Sequence, residues 1–314
     1  MNRAKKTLIL FILLGCIGIS LGSENGPSIQ PIQMPLAQFD RLQSDTDSIG
    51  LNSIGFYSQM ENSRFIALYA HTSINAALPD NLPTQYHSID VLAETKSDRH
   101  QYLGIFKSDA SKPVSGGLHT FNAAAVYGYQ FIQQSDLSLV IGSGLALGDF
   151  GIKTHRGDIW PIIPVPLLRA SYQGDWLTAE LEFLTSPNLD LRITPSQRLS
   201  LNNSLRFDEL NSWRDLVFDS NLAYQLLPNK HSLSDLAHLS IGIKNDHIGS
   251  FSIGDGQQEE KLQAQYYALY SGVDLTLLKL MIGHNFNSQW RYQKHDSQAR
   301  KNGYFVSFQA MLPL

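Results

Sequence analysis

From about Ile49 to the C-terminus, apolar residues recur at every second position in short segments, and turn residues separate the segments. A period of two is a strand period, because successive side chains of a strand leave opposite faces. The final stretch, Lys301 to Leu314, has the pattern plainly: Tyr304, Val306, Phe308, Ala310, Leu312 and Leu314 share one parity. In Phe121 to Phe131, the residues Phe121, Ala123, Ala125, Tyr127, Tyr129 and Phe131 form one face, while Asn122, Ala124, Gly128 and Gln130 form the other. Trp176 to Phe183, Gln197 to Phe207, Leu216 to Leu227 and His238 to Lys244 alternate as clearly. Further strands are predicted at Arg64–His71, Ile89–Thr95, His100–Lys107, Leu137–Leu147, Ile163–Tyr172, Ala264–Leu275, Lys279–Gln293 and Gly303–Leu312. The expectation is an all-β protein of about 12 strands, within a range of about 10 to 14. Short connections such as Gln133-Gln134-Ser135-Asp136 and Gln173-Gly174-Asp175 predict hairpin turns, while 149–158, 255–261 and 294–300 predict longer surface loops.

The first residues have a different grammar. Arg3, Lys5 and Lys6 precede the apolar run Leu8 to Leu14, and Ser20-Leu21-Gly22 supplies a small-residue site, so residues 1–22 read as a secretory signal peptide cleaved after Gly22. Lipoprotein processing at Cys16, within Leu13-Leu14-Gly15-Cys16, is the alternative. Residues 23–48 are polar, contain Pro27, Pro31 and Pro35, and follow neither period, which predicts a periplasmic N-terminal tail before a single domain at 49–314.

Export narrows the chemistry. Cys16 is the only cysteine, so the mature chain has neither disulfides nor thiolate chemistry. Removing the signal leaves 21 Lys and Arg of the 24, against all 28 Asp and Glu, a formal charge of −7 that makes nucleic acid a poor partner. No apolar run after Gly22 is long enough for a transmembrane helix. A mature chain that enters a membrane must therefore do so as a closed antiparallel β-barrel, the other structure that satisfies every backbone group in lipid. Aromatics at the ends of apolar faces, with polar residues on the opposite parity, favour that barrel over a secreted β-sandwich binding module.

The residues Lys301, Gly303, Val306 and Phe308 resemble the assembly signal of bacterial outer-membrane β-barrels, a polar residue, a glycine two later and two alternating hydrophobics. The resemblance implies recognition by the barrel-assembly machinery and a home in the outer membrane among its lipids and lipopolysaccharide. Leu314 and Pro313 depart from the usual aromatic ending. The stretch Trp160-Pro161-Ile162-Ile163-Pro164-Val165-Pro166, with Tyr172, Trp176 and Pro187, loosely resembles an uncharacterised outer-membrane barrel family and implies no activity.

If the apolar parity faces lipid, the other faces the lumen, and Arg169, Glu180, Glu182, Asp190, Arg192, Arg198, Arg206 and Asp219 become candidate lumen-lining residues. Charges of both signs on facing strands either set a lateral field across a pore or pair and fill the barrel. The expected function is a passive pore or a structural and interaction protein. A lipid-modifying enzyme is the alternative from a different class: His284 and Ser288 share a strand parity, but two strand repeats put them about 13 Å apart. Gly142-Ser143-Gly144-Leu145-Ala146-Leu147-Gly148 imitates a dinucleotide fingerprint without the helix that must follow, and reads as glycines relieving strand crowding. Neither the ten histidines nor Asp45 and Asp47 have metal-ligand spacing, and no cofactor is expected.

Overall fold

The computed structural model describes residues 32–45, 47–76, 84–110, 120–148, 155, 160–184, 187–207, 216–226, 237–253, 260–275, 277–292 and 296–311. The signal peptide, the first part of the tail, His119, and Leu312 to Leu314 lie outside them. The strands are β1 (Ile32–Gln43), β2 (Ser48–Met60), β3 (Ser63–Asn75), β4 (Gln85–Ser97), β5 (His100–Ala110), β6 (Phe121–Gln133), β7 (Leu137–Leu147) and β8 (Ile162–Gln173). They continue as β9 (Leu177–Phe183), β10 (Pro187–Ser196), β11 (Leu199–Phe207), β12 (Leu216–Gln225), β13 (His238–Ile253), β14 (Glu260–Asp274), β15 (Leu278–Tyr292) and β16 (Gly303–Met311). A two-residue ladder at Gln298–Ala299 pairs with β15 beside them.

Each strand pairs antiparallel with the next, and β16 pairs back onto β1 from Leu36↔Met311 to Gln43↔Tyr304. The sheet is thus closed, with 16 strands in its wall among the described residues. That corrects the expected 12, and closure rules out the sandwich. The sequence reading names thirteen segments, and the strands with no counterpart among them are β1, β2 and β10. Residues 32–43, read from the sequence as tail, form β1, whose lumen side carries Gln38 and Asp40 and whose outer side carries Pro35. Its inner face mixes Met34, Leu36 and Leu42 with Gln38 and Asp40, and its outer face mixes Pro35, Ala37 and Phe39 with Gln33 and Arg41, so neither parity gives an apolar stripe that would distinguish it from a tail. Its place comes from the ladder hydrogen bonds it makes on both sides.

Burial is inverted relative to a water-soluble protein. Ile241 and Leu269 are 63% and 58% exposed on the outer face, whereas Lys244 and Glu94, facing the lumen, are 6% and 7% exposed. Such an inversion is stable only where lipid replaces water around the wall. Outward Tyr102, Tyr127, Phe131, Tyr172 and Trp176 gather toward one end, and Tyr69, Phe106, Phe121 and Tyr267 toward the other, as two interfacial girdles. The outward parity of Tyr304, Val306, Phe308 and Ala310 agrees with the sequence reading, with Gly303, Phe305 and Ser307 buried on the inner side. The chain has the architecture of an outer-membrane β-barrel.

Connections at 61–62, 98–99, 134–136, 174–176 and 197–198 are short and lie at the end where β1 begins and β16 ends, which also holds the strand ends Gln225, His238, Asp274 and Leu278. The strand ends Asn75 and Gln85, Ala110 and Phe121, Leu147 and Ile162, and Tyr292 and Gly303 lie at the other end, which by the usual asymmetry of these barrels is extracellular. At that end Arg300 grips Asp47 with two hydrogen bonds of 3.1 and 2.8 Å and lies 5.0 Å over the Trp290 ring. Burial pushes the Asp47 carboxyl up, but hydrogen bonds from Arg300 and Ser44 outweigh it and hold the group below the usual carboxylate range.

Glycine is required where the wall closes or bends. A Cβ on Gly303 would run into the Gln43 carbonyl of β1, and one on Gly142 into the Tyr127 carbonyl of β6. Gly142 and Gly144 of the fingerprint-like run are therefore strand glycines, as the sequence indicated, and Gly148 follows the strand end. Gly303→Ala should force β16 away from β1 at the seam, reducing the fraction of heat-modifiable, folded barrel on a denaturing gel, while Gly50→Ala, where only the Ser73 hydroxyl is near, should be tolerated.

Candidate functional site: the barrel lumen

Register places the lumen-facing residues in rows. Across β8 to β12 one row reads Arg169, Glu182, Asn188, Arg206 and Val217; across β8 to β13 the next reads Ser171, Glu180, Asp190, Ser204, Asp219 and Lys244, and the next Gln173, Thr178, Arg192, Asn202, Asn221 and Gly242. The inner face of β9 to β11 is polar throughout these rows. Asn202 donates to Asn221 at 2.9 Å, and Tyr270 donates to Asp219.

Of the eight residues named from the sequence, the register carries Arg169, Glu180, Glu182, Asp190, Arg192, Arg206 and Asp219 on the inner parity, and they differ in what they meet. Arg169 is a strut. Its guanidinium donates to Glu182 at 2.7 and 2.8 Å on the neighbouring strand and reaches Glu94 on β4 at 2.8 Å and Gln101 on β5 at 3.3 Å. Glu94 also pairs with Arg64 at 2.7 Å and, more loosely, with Lys96 at 3.6 Å. Arg206 reaches Asp246 at 3.3 Å, and Arg192 faces the lumen between Thr178 and Asn202. Glu180 and Asp190 stand directly opposite each other on β9 and β10, two like charges in the closest cross-strand position. Neither has an ion-pair partner among the described residues.

Arg198 is the exception. It occupies the β10–β11 turn and extends its guanidinium to the outward Tyr224 hydroxyl at 3.4 Å, so it belongs to the rim rather than the lumen. The alternation that placed it inside does not continue through a turn.

The lumen also contains charges that the sequence reading did not single out. Lys244 pairs with Asp246 at 3.2 Å and lies 4.5 Å over the Phe305 ring and 5.3 Å over that of Tyr266, tying β13 to β14 and β16. Glu94 could have been found by parity, since Asp90, Leu92 and Glu94 alternate with Ile89, Val91 and Ala93. Its partnership with Arg169, 75 residues away, could not.

A cavity of about 530 Å³ lies in the periplasmic half, bounded by the Arg169 cluster and by Glu180, Asp190 and Glu61. Five carboxylates line it against three cations, Arg64, Lys96 and Arg169. Beside it the wall changes character. Leu103, Val126, Val140, Val165 and Leu167 face inward from β5 to β8 as a buried apolar cluster.

The extracellular mouth is partly covered. β13 pairs with β12 only as far as Asn245; beyond it the strand leaves β12, keeps its ladder to β14 through a register shift between Ile248 and Ser250, and crosses the mouth. Ser252 there pairs with Ala110 at the end of β5, eight strands away around a ring of 16, the opposite wall. Ile248, Leu262 and Ala264 pack with Leu42, Ile49, Ile74 and Tyr86 from β1 to β4, which seals that sector of the mouth with an apolar core.

His284 and Ser288 are not brought together. Asn287 has a positive φ of 50° and sits in a bulge, two residues of β15 opposing one of β14, so the parity reverses between them. His284 points outward against Tyr304, while Ser288 is buried inside and donates to Asn285 at 2.9 Å. No group of metal-ligating side chains occurs among the described residues.

No family model matches the chain, and no curated protein matches it. Among solved structures it is similar to a bacterial polysaccharide outer membrane secretin, at 11% identity and a TM-score of 0.42, over 90% of this chain and 98% of that one. It is also similar to Acinetobacter baumannii OccAB4, at 11% identity and a TM-score of 0.33, over 92% and 100%, and to Pseudomonas aeruginosa OccK8 (OprE), at 10% and 0.36, over 92% and 100%. Likeness at this level transfers no substrate to this chain.

Proposed function

We propose that this chain is a narrow, passive outer-membrane channel for small polar solutes, with a preference for cations. The observation that carries the reading is the polar inner face of β9 to β11, on which Glu180 and Asp190 remain unneutralised beside the periplasmic cavity. A 16-strand wall encloses enough space for an aqueous path. The apolar cluster and the crossing hairpin narrow that path and push it toward the polar sector. Local excess of one sign of charge in a low-dielectric channel attracts the opposite ion and repels its co-ion.

Planar-bilayer recording tests it. Purified barrel in a salt gradient should give small unitary steps and a reversal potential of cation-preferring sign. Glu180→Gln with Asp190→Asn should move that potential toward zero without abolishing the steps. A bilayer that stays sealed at saturating protein would sink the channel reading in favour of a structural and interaction barrel, which the packed interior at β1–β4 and β13–β15 also accommodates.

A further inference from the structure

The lipid-facing side of the seam carries features that a channel does not need. The outer wall of β16 and β1 to β4 is not flat: a concave apolar groove of about 730 Å³ runs along it, bordered by Ile54, Phe56, Tyr69 and Val91, where Ala37 and Ala67 leave room. Two residues nearer the extracellular end, register aligns Phe39, Asn52, His71 and His87 side by side, and the next row holds Arg41, Gly50 and Ser73. Two residues of strand rise about 7 Å, so this polar crown caps the groove at the level where lipid headgroups begin.

The crown is ordered. The His71 and His87 rings are 5.1 Å apart, and the Tyr69 hydroxyl lies 2.7 Å from His87 Nδ1. In the tautomer whose Nδ1 accepts from the tyrosine hydroxyl, the ring hydrogen is on Nε2, where it can donate to an outside group. Arg41, exposed one row above, adds a full positive charge, and no Asp or Glu occupies an outward position on β16 or β1 to β4. The described surface thus offers cationic and neutral donors, with no acceptor carboxylate, above an apolar trough.

The geometry points to a specific site for one amphiphile: a phosphorylated, multiply acylated glycolipid of the outer leaflet, with a chain in the groove and a phosphate against Arg41 and the histidines. Charge complementarity selects the occupant, because Arg and imidazole donors favour phosphate oxygens while the groove accepts methylenes. The inference rests on the membrane placement argued above but not on conduction, so lipid binding and the channel can fail separately.

Native mass spectrometry of the full barrel in detergent tests it, with purified lipid A and phosphatidylethanolamine as probes and heat-modifiable migration as the control for folding. The wild-type barrel should retain one lipid A and exchange phosphatidylethanolamine freely. Arg41→Gln with His87→Gln should lower lipid A retention about tenfold through lost charge-assisted bonds, and Ala67→Phe, which fills the groove from the lipid side, should do the same. If Ala67→Phe does not migrate as a folded barrel, Ala67→Val carries the arm. Equal retention in all variants, or no discrimination between the two lipids, would overturn the site. So would lipid-free oligomers that Ala67→Phe dissociates, because the groove would then be a contact between copies of the chain.

Discussion

Shortening the β13–β14 hairpin by residues 249–261, with a tight turn joining the two strands, should raise unitary conductance severalfold and broaden the size of solute admitted. The hairpin crosses from one wall to the opposite one, and its base at Ile248 and Leu262 is held by apolar packing rather than by ladder bonds to β12. A milder variant acts on the same contact. Leu262→Ala removes a fully buried side chain from that core, a change that costs about 2–5 kcal/mol where the site cannot collapse. Weakening an apolar seal by that much should appear as longer or more frequent open events at unchanged folding of the wall. Single-channel recordings of both variants against wild type measure it, and unchanged conductance in the shortened barrel would mean the hairpin does not bound the path.

Arg169→Met should be the most damaging single substitution in the lumen. It leaves Glu94, only 7% exposed, without the cation that ties it across the barrel, and leaves Glu182 without its neighbour. Removing one partner of a buried ion pair costs about 3–5 kcal/mol, because the remaining charge stays desolvated. Arg64 and Lys96 still face Glu94, which places the expected loss toward the lower end. The cavity would lose one of its three cations, so the surviving channels should be more cation-selective. A lowered temperature of the heat-modifiable transition reads the first effect and the reversal potential the second. Arg169→Met with Glu94→Gln should recover part of the stability, since the uncompensated charge is removed together with its partner.

Strand identity was legible wherever one parity was apolar and the other not. Phe121–Phe131 and Gly303–Met311 satisfy that condition, and both faces lie as their alternation indicates. β1 and β2 were not legible because both of their parities mix apolar and polar residues, Leu42 with Asp40 on the inner face of β1 and Ile54 with Asn52 on the outer face of β2; β10 does alternate, Leu189, Leu191 and Ile193 against Asp190 and Arg192, but its alternation is short and reads from the sequence only as a set of inward charges. Parity also failed where the backbone departs from simple alternation. The bulge at Asn287 separates His284 from Ser288, and the turn at Arg198 carries that guanidinium out to Tyr224.

What the amino-acid sequence determined by itself is the class of solution: an all-β wall, and which parity of most strands meets lipid. These follow from local terms, a two-residue period and the need to satisfy every backbone group within a membrane. Only the tertiary structure decided the number of strands, the crossing of the mouth by β13 and β14, and which charges are neutralised. Arg169 meets Glu94 and Asp47 meets Arg300 across 75 and 253 residues. Such pairs depend on how the sheet closes and where it bends, and an alternating pattern contains no measure of either.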